Sequence, residues 1–180
     1  MYDFREISEF LRDASKYIIV IVLVAVVFTF VVAFQTVAGN SMNPTLKEGE
    51  VLLVSKFSHK YERNEIVTVV VNGKSYVKRV IGLPGEKVEY MNDVLYIDGI
   101  GYREDFLNDG VKTNNFLFVD ICNEKDCPNG VIPDDMYLVL GDNRPESDDS
   151  RNPKFGLVQK SQIKGKVFFR LWPFGAFGKI

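Results

Sequence analysis

The sequence predicts a mainly β protein, a β-rich domain preceded by one N-terminal transmembrane helix. Three observations carry this. Tyr17 to Phe34 is a membrane-length apolar run with no charge, Gly or Pro. From Glu50 onward, short Val- and Ile-rich segments alternate with turn signals, the pattern of strands rather than helices. Aromatic residues make up 13% of the chain, which strengthens the strand preference.

Residues 1–16 read as a short polar tail, open to an amphipathic helix through Phe4, Ile7, Phe10 and Leu11, and 17–35 as the transmembrane helix. Eighteen helical residues reach roughly 27 Å, close to the hydrocarbon thickness of a bilayer. A buried core helix and a cleaved leader are the other readings of such a run. Thr36-Val37-Ala38 resembles a small-residue cut site, but the run is long for the apolar part of a leader, so an uncleaved anchor is favoured. Arg5, Arg12 and Lys16 precede the run, whereas only Lys47 follows closely. The positive-inside rule therefore puts the N-terminus in the cytoplasm and residues 36–180 outside.

About 145 residues remain beyond the anchor, enough for a sizeable core. Strands are expected at Val51–Val54, Glu65–Val71 and Ser75–Ile81, the last two joined by an Asn72-Gly73 turn. A hairpin is expected from Lys87–Tyr90 to Val94–Ile97, turning near Asn92-Asp93. Further strands are expected at Asn115–Ile121, Met136–Leu140 and Lys166–Leu171. Residues about 99–135 are rich in Asp, Asn and Gly and read as an inserted subdomain.

Twenty-two basic residues against 24 acidic give a net charge of −2. With no basic stripe, nucleic acid is not an expected partner. Cys122 and Cys127 are the only cysteines. Outside the membrane they either close a small loop as a disulfide or remain two thiols, and the disulfide is the favoured reading. Zinc would need more ligands than this pair and the remote His59 supply. No metal site and no cofactor are expected.

Ser41 lies in Gly39-Asn40-Ser41-Met42-Asn43-Pro44, just beyond the anchor. A serine hydroxyl attacks a carbonyl only when a base takes its proton. His59, the only histidine, sits in a polar, turn-like stretch and is a poor candidate. Lys78 is a better one. It lies in a strand-like apolar stretch, with Tyr76 and Val80 on its own face and Arg79 on the other. Holding a lysine neutral near pH 7 costs about 4–5 kcal/mol, and burial in an apolar setting supplies it. A third segment, Gly141 to Arg151, alternates acids, arginines and serines, as suits a hydrogen-bonded loop that buttresses a site. It lacks the ligand spacing of an EF-hand calcium loop.

The three segments together resemble the bacterial type I signal peptidases, a family of Ser/Lys-dyad serine proteases. The chain shows SMNPTL at 41–46, YVKRVIGLPGE at 76–86 and GDNRPESDDSR at 141–151, in the family's order. The resemblance implies a signal-peptidase-like β-rich catalytic domain with a variable subdomain. By matching positions, Ser41 is the implied nucleophile and Lys78 the implied general base. Ser147 orients the lysine amine, and Asp142, Arg79, Asp149 and Arg151 form a supporting ionic network. Met42, Leu46, Tyr76 and Val77 match positions lining apolar pockets for small side chains. The implied substrates are secretory preproteins with Ala-x-Ala-like sites, and the implied setting is the bilayer of the bacterial plasma membrane.

Two departures from the family pattern stand out. Gly39 occupies a position where some members carry a serine that helps bind the oxyanion. Asn152-Pro153-Lys154 lengthens the link that follows Arg151. Two competing readings are a self-cleaving repressor-type Ser/Lys protease and a membrane-anchored β domain without catalysis. The first lacks a DNA-binding segment ahead of the β domain; the second leaves the Ser41 and Lys78 segments as coincidence.

Overall fold

A computed structural model describes residues 4–57, 60–108 and 110–180 of the chain. Its one long helix is α1 (Phe4–Phe30), followed by β1 (Val32–Thr36), β2 (Val51–Ser55), β3 (Ile66–Val71) and β4 (Lys74–Gly82). Next come β5 (Val88–Met91), β6 (Val94–Ile97), β7 (Ile100–Tyr102) and the single helical turn α2 (Phe118–Ile121). The strands β8 (Met136–Leu140), β9 (Val158–Gln159), β10 (Ile163–Trp172) and β11 (Gly178–Lys179) complete the fold.

The mainly β expectation holds. The larger sheet runs β1-β2-β10-β3-β4-β8-β9, with β11 beside β10, and β5-β6-β7 form a smaller sheet. Neighbouring strands pair antiparallel throughout. The Asn72-Gly73 hairpin forms with both residues at positive φ, the twist that a tight two-residue hairpin needs. Asn92 and Asp93 do the same between β5 and β6.

Two expectations differ from the structure. The transmembrane helix stops at Phe30 rather than at residue 35. The end of the apolar run is instead β1, zipped to β2 in the register Val32↔Ser55 to Thr36↔Val51. An apolar, β-branched run suits either element, and the open edge of β2 decides between them by satisfying the backbone of β1. Residues 115–121 are not a strand. Phe116 makes one bridge to Tyr90, and then the Asp120 carboxylate accepts the Leu117 N–H at 2.8 Å, turning the chain into α2. Residues about 99–135, expected as an inserted subdomain, share a sheet and a core with β5 and β6, and together these form one unit from Val88 on. The β5–β6 hairpin pairs with β7, and its Val88, Tyr90 and Leu95 share one core with Phe118, Cys127 and Ile132. His59 lies outside the described residues.

That core also contains Ile81, Leu138 and Leu140, so the inserted unit packs directly on the β4–β8 pair. A second cluster, with Val67, Val69, Val80, Tyr137 and Phe155, fills another part of the larger sheet. A third, with Val37, Met42, Leu46, Leu52, Val77 and Val167, lies under the turn that carries Ser41. Cys122 and Cys127 are joined as a disulfide with a Cα–Cα distance of 5.8 Å.

Candidate active site

The centre of β4 supplies Lys78. It pairs across to Val67 of β3, while its neighbour Arg79 pairs with Leu140 of β8. Continuing that register sets Gly141, the first residue past β8, beside Lys78. Pleating sends Tyr76 and Val80 into the second cluster and Val77 into the third, as period-2 alternation requires.

Lys78 is 1% exposed. Its Nζ donates to Ser147 Oγ at 3.0 Å and lies 5.8 Å from the centre of the Tyr76 ring. Burial pushes its pKa down to about 8, against the opposing pull of Asp149 and Asp148 and with some help from Arg151. Arg151, paired with Asp149, offsets the pull of that carboxylate, and the cost of dehydrating the ammonium prevails.

Ser41 is half-buried in the turn between β1 and β2. Asn43 N–H donates to Asn40 O at 3.0 Å and Leu46 N–H to Met42 O at 2.9 Å, on either side of a cis Asn43–Pro44 peptide. Gly39, at φ +73°, opens this turn. The Ser41 carbonyl accepts the Asn143 N–H at 3.0 Å, and the Asn143 side-chain amide donates to Asn40 O at 3.1 Å. The Ser41 N–H donates to none of the described residues.

Gly141 brings the pieces together. A Cβ at this position would lie 2.2 Å from Ser147 Oγ and 2.3 Å from the Ser41 carbonyl oxygen. No side chain fits there, so the absence of one is what lets the Ser41 turn and Ser147 converge next to Lys78.

The supporting residues predicted from sequence also meet here. Arg79 Nε donates to Asp142 Oδ1 at 2.8 Å, Arg79 Nη2 to Asp142 Oδ2, and Arg79 Nη1 to Asn64 O at 2.8 Å. Thr45 Oγ1 donates to Asp142 Oδ2 at 2.6 Å, tying the ion pair to the Ser41 turn. Asp149 is fully buried and accepts Arg151 Nε and Nη2, each at 2.8 Å, and the Gly141 N–H at 3.0 Å. Burial alone would raise the Asp149 carboxyl; the charge and hydrogen bonds of Arg151, with the Gly141 N–H and Ser147, hold it below the usual carboxylate range.

Met42 and Leu46 are buried, and Val77 nearly so, in the third core cluster. Tyr76 is half-buried and sits edge-on to Phe155 with ring centres 5.2 Å apart. A cavity of about 460 Å³ opens beside the Ser41 turn, lined by Asn43, Pro44, Val111, Lys112, Asn143 and Pro145 among others. Among the described residues no group of three or more His, Cys, Asp or Glu is placed to hold a metal ion.

Three residues of this network were not singled out from sequence. Thr45 and Arg144 lie within the quoted segments, and a search for buried partners of Asp142 and Gly141 would have found them. Glu104, which pairs with Arg144, lies in the inserted unit and carries no sequence signal.

Comparison with known proteins gives a consistent result. The family model for signal peptidase, peptidase S26, matches residues 11–172. Signal peptidase IB of Staphylococcus aureus (strain Mu50 / ATCC 700699) is 44% identical over 181 aligned residues, covering 94% of this chain and 93% of that protein. Signal peptidase I of Bacillus caldolyticus is 41% identical, covering 88% of this chain and 90% of that protein. The crystal structure of a signal peptidase I from Enterococcus faecalis V583 matches with a TM-score of 0.51 and 37% identity, covering 61% of this chain and 98% of that one.

Proposed function

The chain belongs to the signal peptidase family, peptidase S26, and is a serine peptidase; from that premise we propose that it is a membrane-anchored signal peptidase I using Ser41 as nucleophile and Lys78 as general base. The observation that carries this is the burial of Lys78, whose pKa of about 8 leaves roughly one molecule in ten with a free amine at pH 7. Ser147, which accepts a hydrogen bond from that amine, aims it.

In the first step the Lys78 amine takes the Ser41 proton as Oγ bonds to the scissile carbonyl carbon. The carbonyl becomes an oxyanion, which the Ser41 N–H is free to bind. The C–N bond then breaks, the departing amine takes the proton from the lysine, and the signal peptide is left as an ester on Ser41. Water, deprotonated by the same lysine, hydrolyses that ester and regenerates the hydroxyl. Gly39 offers no side-chain hydroxyl as a second oxyanion donor. Asp142, Arg79, Asp149 and Arg151 act at a distance, by holding the Ser41 turn and the 141–151 loop.

The substrates are secretory preproteins cut after Ala-x-Ala-like sites, with Met42, Leu46, Tyr76 and Val77 shaping shallow apolar pockets for the small side chains. The setting is the bacterial plasma membrane, crossed once by α1. The N-terminus is cytoplasmic, as the Arg5, Arg12 and Lys16 flank supports, and the catalytic domain is extracytoplasmic, as the Cys122–Cys127 disulfide supports.

The test is covalent labelling by a serine-reactive acylator across pH 6–10. Ser41 is expected to be labelled at a rate that rises with pH through about 8, as Lys78 loses its proton. Lys78→Ala should lose both the label and the pH dependence. Equal labelling of Lys78→Ala would refute the assignment of the base.

A further inference from the structure

We propose that Glu104, in the inserted unit, is a positioning residue for the Ser41/Lys78 reaction, acting through Arg144 on Gly141. The proposal rests on the assignment of Ser41 and Lys78 above and adds a residue that lies outside all three family segments.

Arg144 is buried, as is most of Glu104. The guanidinium meets Glu104 through both of its terminal nitrogens, at 3.1 Å from Nη1 to Oε2 and through Nη2 to Oε1. Nη1 also donates to Thr113 Oγ1 at 3.0 Å. Tyr90 donates its hydroxyl to Glu104 Oε2 at 2.7 Å, and its ring lies 5.5 Å from the guanidinium carbon. Glu104, Thr113 and Tyr90 all belong to the inserted unit. The remaining guanidinium nitrogen, Nε, donates to the Gly141 carbonyl at 3.2 Å.

Gly141 is therefore held at both ends. Arg144 takes its carbonyl, and Asp149 takes its N–H at 3.0 Å. The two anchors are themselves joined, because Arg151 donates both to Asp149 and to the Arg144 carbonyl. Ser147 Oγ and the Ser41 carbonyl crowd the space where a Gly141 side chain would be. A displacement of Gly141 thus moves the hydroxyl that orients Lys78 and the backbone of the nucleophile together. The fork of an arginine fits a carboxylate in two parallel hydrogen bonds. Glu104 fixes the plane of the guanidinium in this way, and through Nε it fixes the Gly141 carbonyl. An ion pair that only joined two subdomains would not need its third nitrogen on the catalytic loop.

The test is kinetic and uses the full chain in detergent. Wild type, Glu104→Gln and Glu104→Asp are compared for preprotein cleavage and for Ser41 acylation over pH 6–10, with thermal unfolding measured alongside. Wild-type activity reads the assignment of the site, and the variant-to-wild-type ratio reads the role of Glu104. Glu104→Gln is expected to lower kcat about 10- to 100-fold with little change in KM, as misplacement of reacting groups does. Its acid limb should shift to higher pH. As the 141–151 loop slackens, water reaches Lys78 among Asp142, Asp148, Asp149, Arg151 and Tyr76, and the dehydration that lowers its pKa weakens. Glu104→Asp, which keeps the charge, should recover part of kcat and of the limb.

Wild-type kcat in Glu104→Gln would overturn the proposal. So would a loss of activity that only follows the loss of folded protein, with the acid limb unmoved. Should Glu104→Gln fail to fold, Thr113→Val and Tyr90→Phe each remove one contact of the cluster and are judged by the same kcat and limb. Absence of Ser41 acylation in wild type would sink the proposal together with the site assignment.

Discussion

Lys78 has a pKa of about 8 in the folded chain against 10.5 as its ordinary value. Between those two pH values the unfolded chain binds the proton that the folded chain has released, so stability rises with pH across that window. Below about pH 8 the folded state bears the full cost of burying an ammonium, roughly 3 kcal/mol. Lys78→Met fills similar space without a charge. It should therefore be more stable than wild type at pH 7 by up to about 3 kcal/mol, with the gain shrinking as pH rises toward 10.5. Urea unfolding of both proteins at several pH values measures this. A Lys78→Met protein less stable than wild type at pH 7, or a difference that is flat with pH, would contradict it. Such a gain on removing the lysine amine would be the usual sign of a residue kept for chemistry at the expense of the fold.

At the scale of elements, the junction of β8 with the loop that follows it decides whether the site forms. Gly141→Ala would put a methyl group 2.2 Å from Ser147 Oγ and 2.3 Å from the Ser41 carbonyl, and neither the paired backbone nor the packed loop has room to yield. The substitution should lower kcat at least about 100-fold, the scale of a misplacement near 1 Å, while the sheet still folds. Activity within a factor of two of wild type would show that the crowding is relieved without cost. The sequence was legible where one signal spoke clearly. Asn72-Gly73 marked the β3–β4 hairpin that carries Lys78, and the three family segments located Ser41, Lys78, Ser147 and their ionic partners. It is ambiguous where an apolar run suits two elements, so residues 32–35 read as helix although the edge of β2 claims them. It was silent where the partner is far along the chain. Nothing near Glu104 announces Arg144, 40 positions away, because a buried ion pair between separate segments leaves no local pattern.

For the whole molecule, the proposed anchor and the site are joined through β1. The span Ser8–Phe30 has none of its apolar window buried against the rest of the protein, as suits a helix whose surroundings are lipid. Lys56 Nζ donates to the Thr29 carbonyl at 2.7 Å, and Phe28 stacks on Phe34 with ring centres 5.7 Å apart, so the end of α1 is fastened to β1. Thr36 and Trp172 pair with the same residue, Val51. An exposed aromatic group, Trp172 at 50% and Phe174 at 76% with ring centres 5.0 Å apart, thus lies two strands from the end of β1 that leads to Ser41. If this group rests in the interfacial zone, as Trp favours, the site faces the bilayer surface where cut sites emerge. Trp172 is the only tryptophan, so its fluorescence reports this patch alone. In vesicles with brominated acyl chains its emission should be quenched; unquenched emission typical of water would place the patch in solvent.

A Ser41/Lys78 signal peptidase is recognised by its products: a secretory preprotein is incubated with detergent-solubilised wild type, Ser41→Ala and Lys78→Ala and the product masses are determined. One cut after an Ala-x-Ala-like site is expected from wild type, abolished in both variants while each remains folded. A cut that persists in Lys78→Ala, or one made elsewhere in the preprotein, would contradict it.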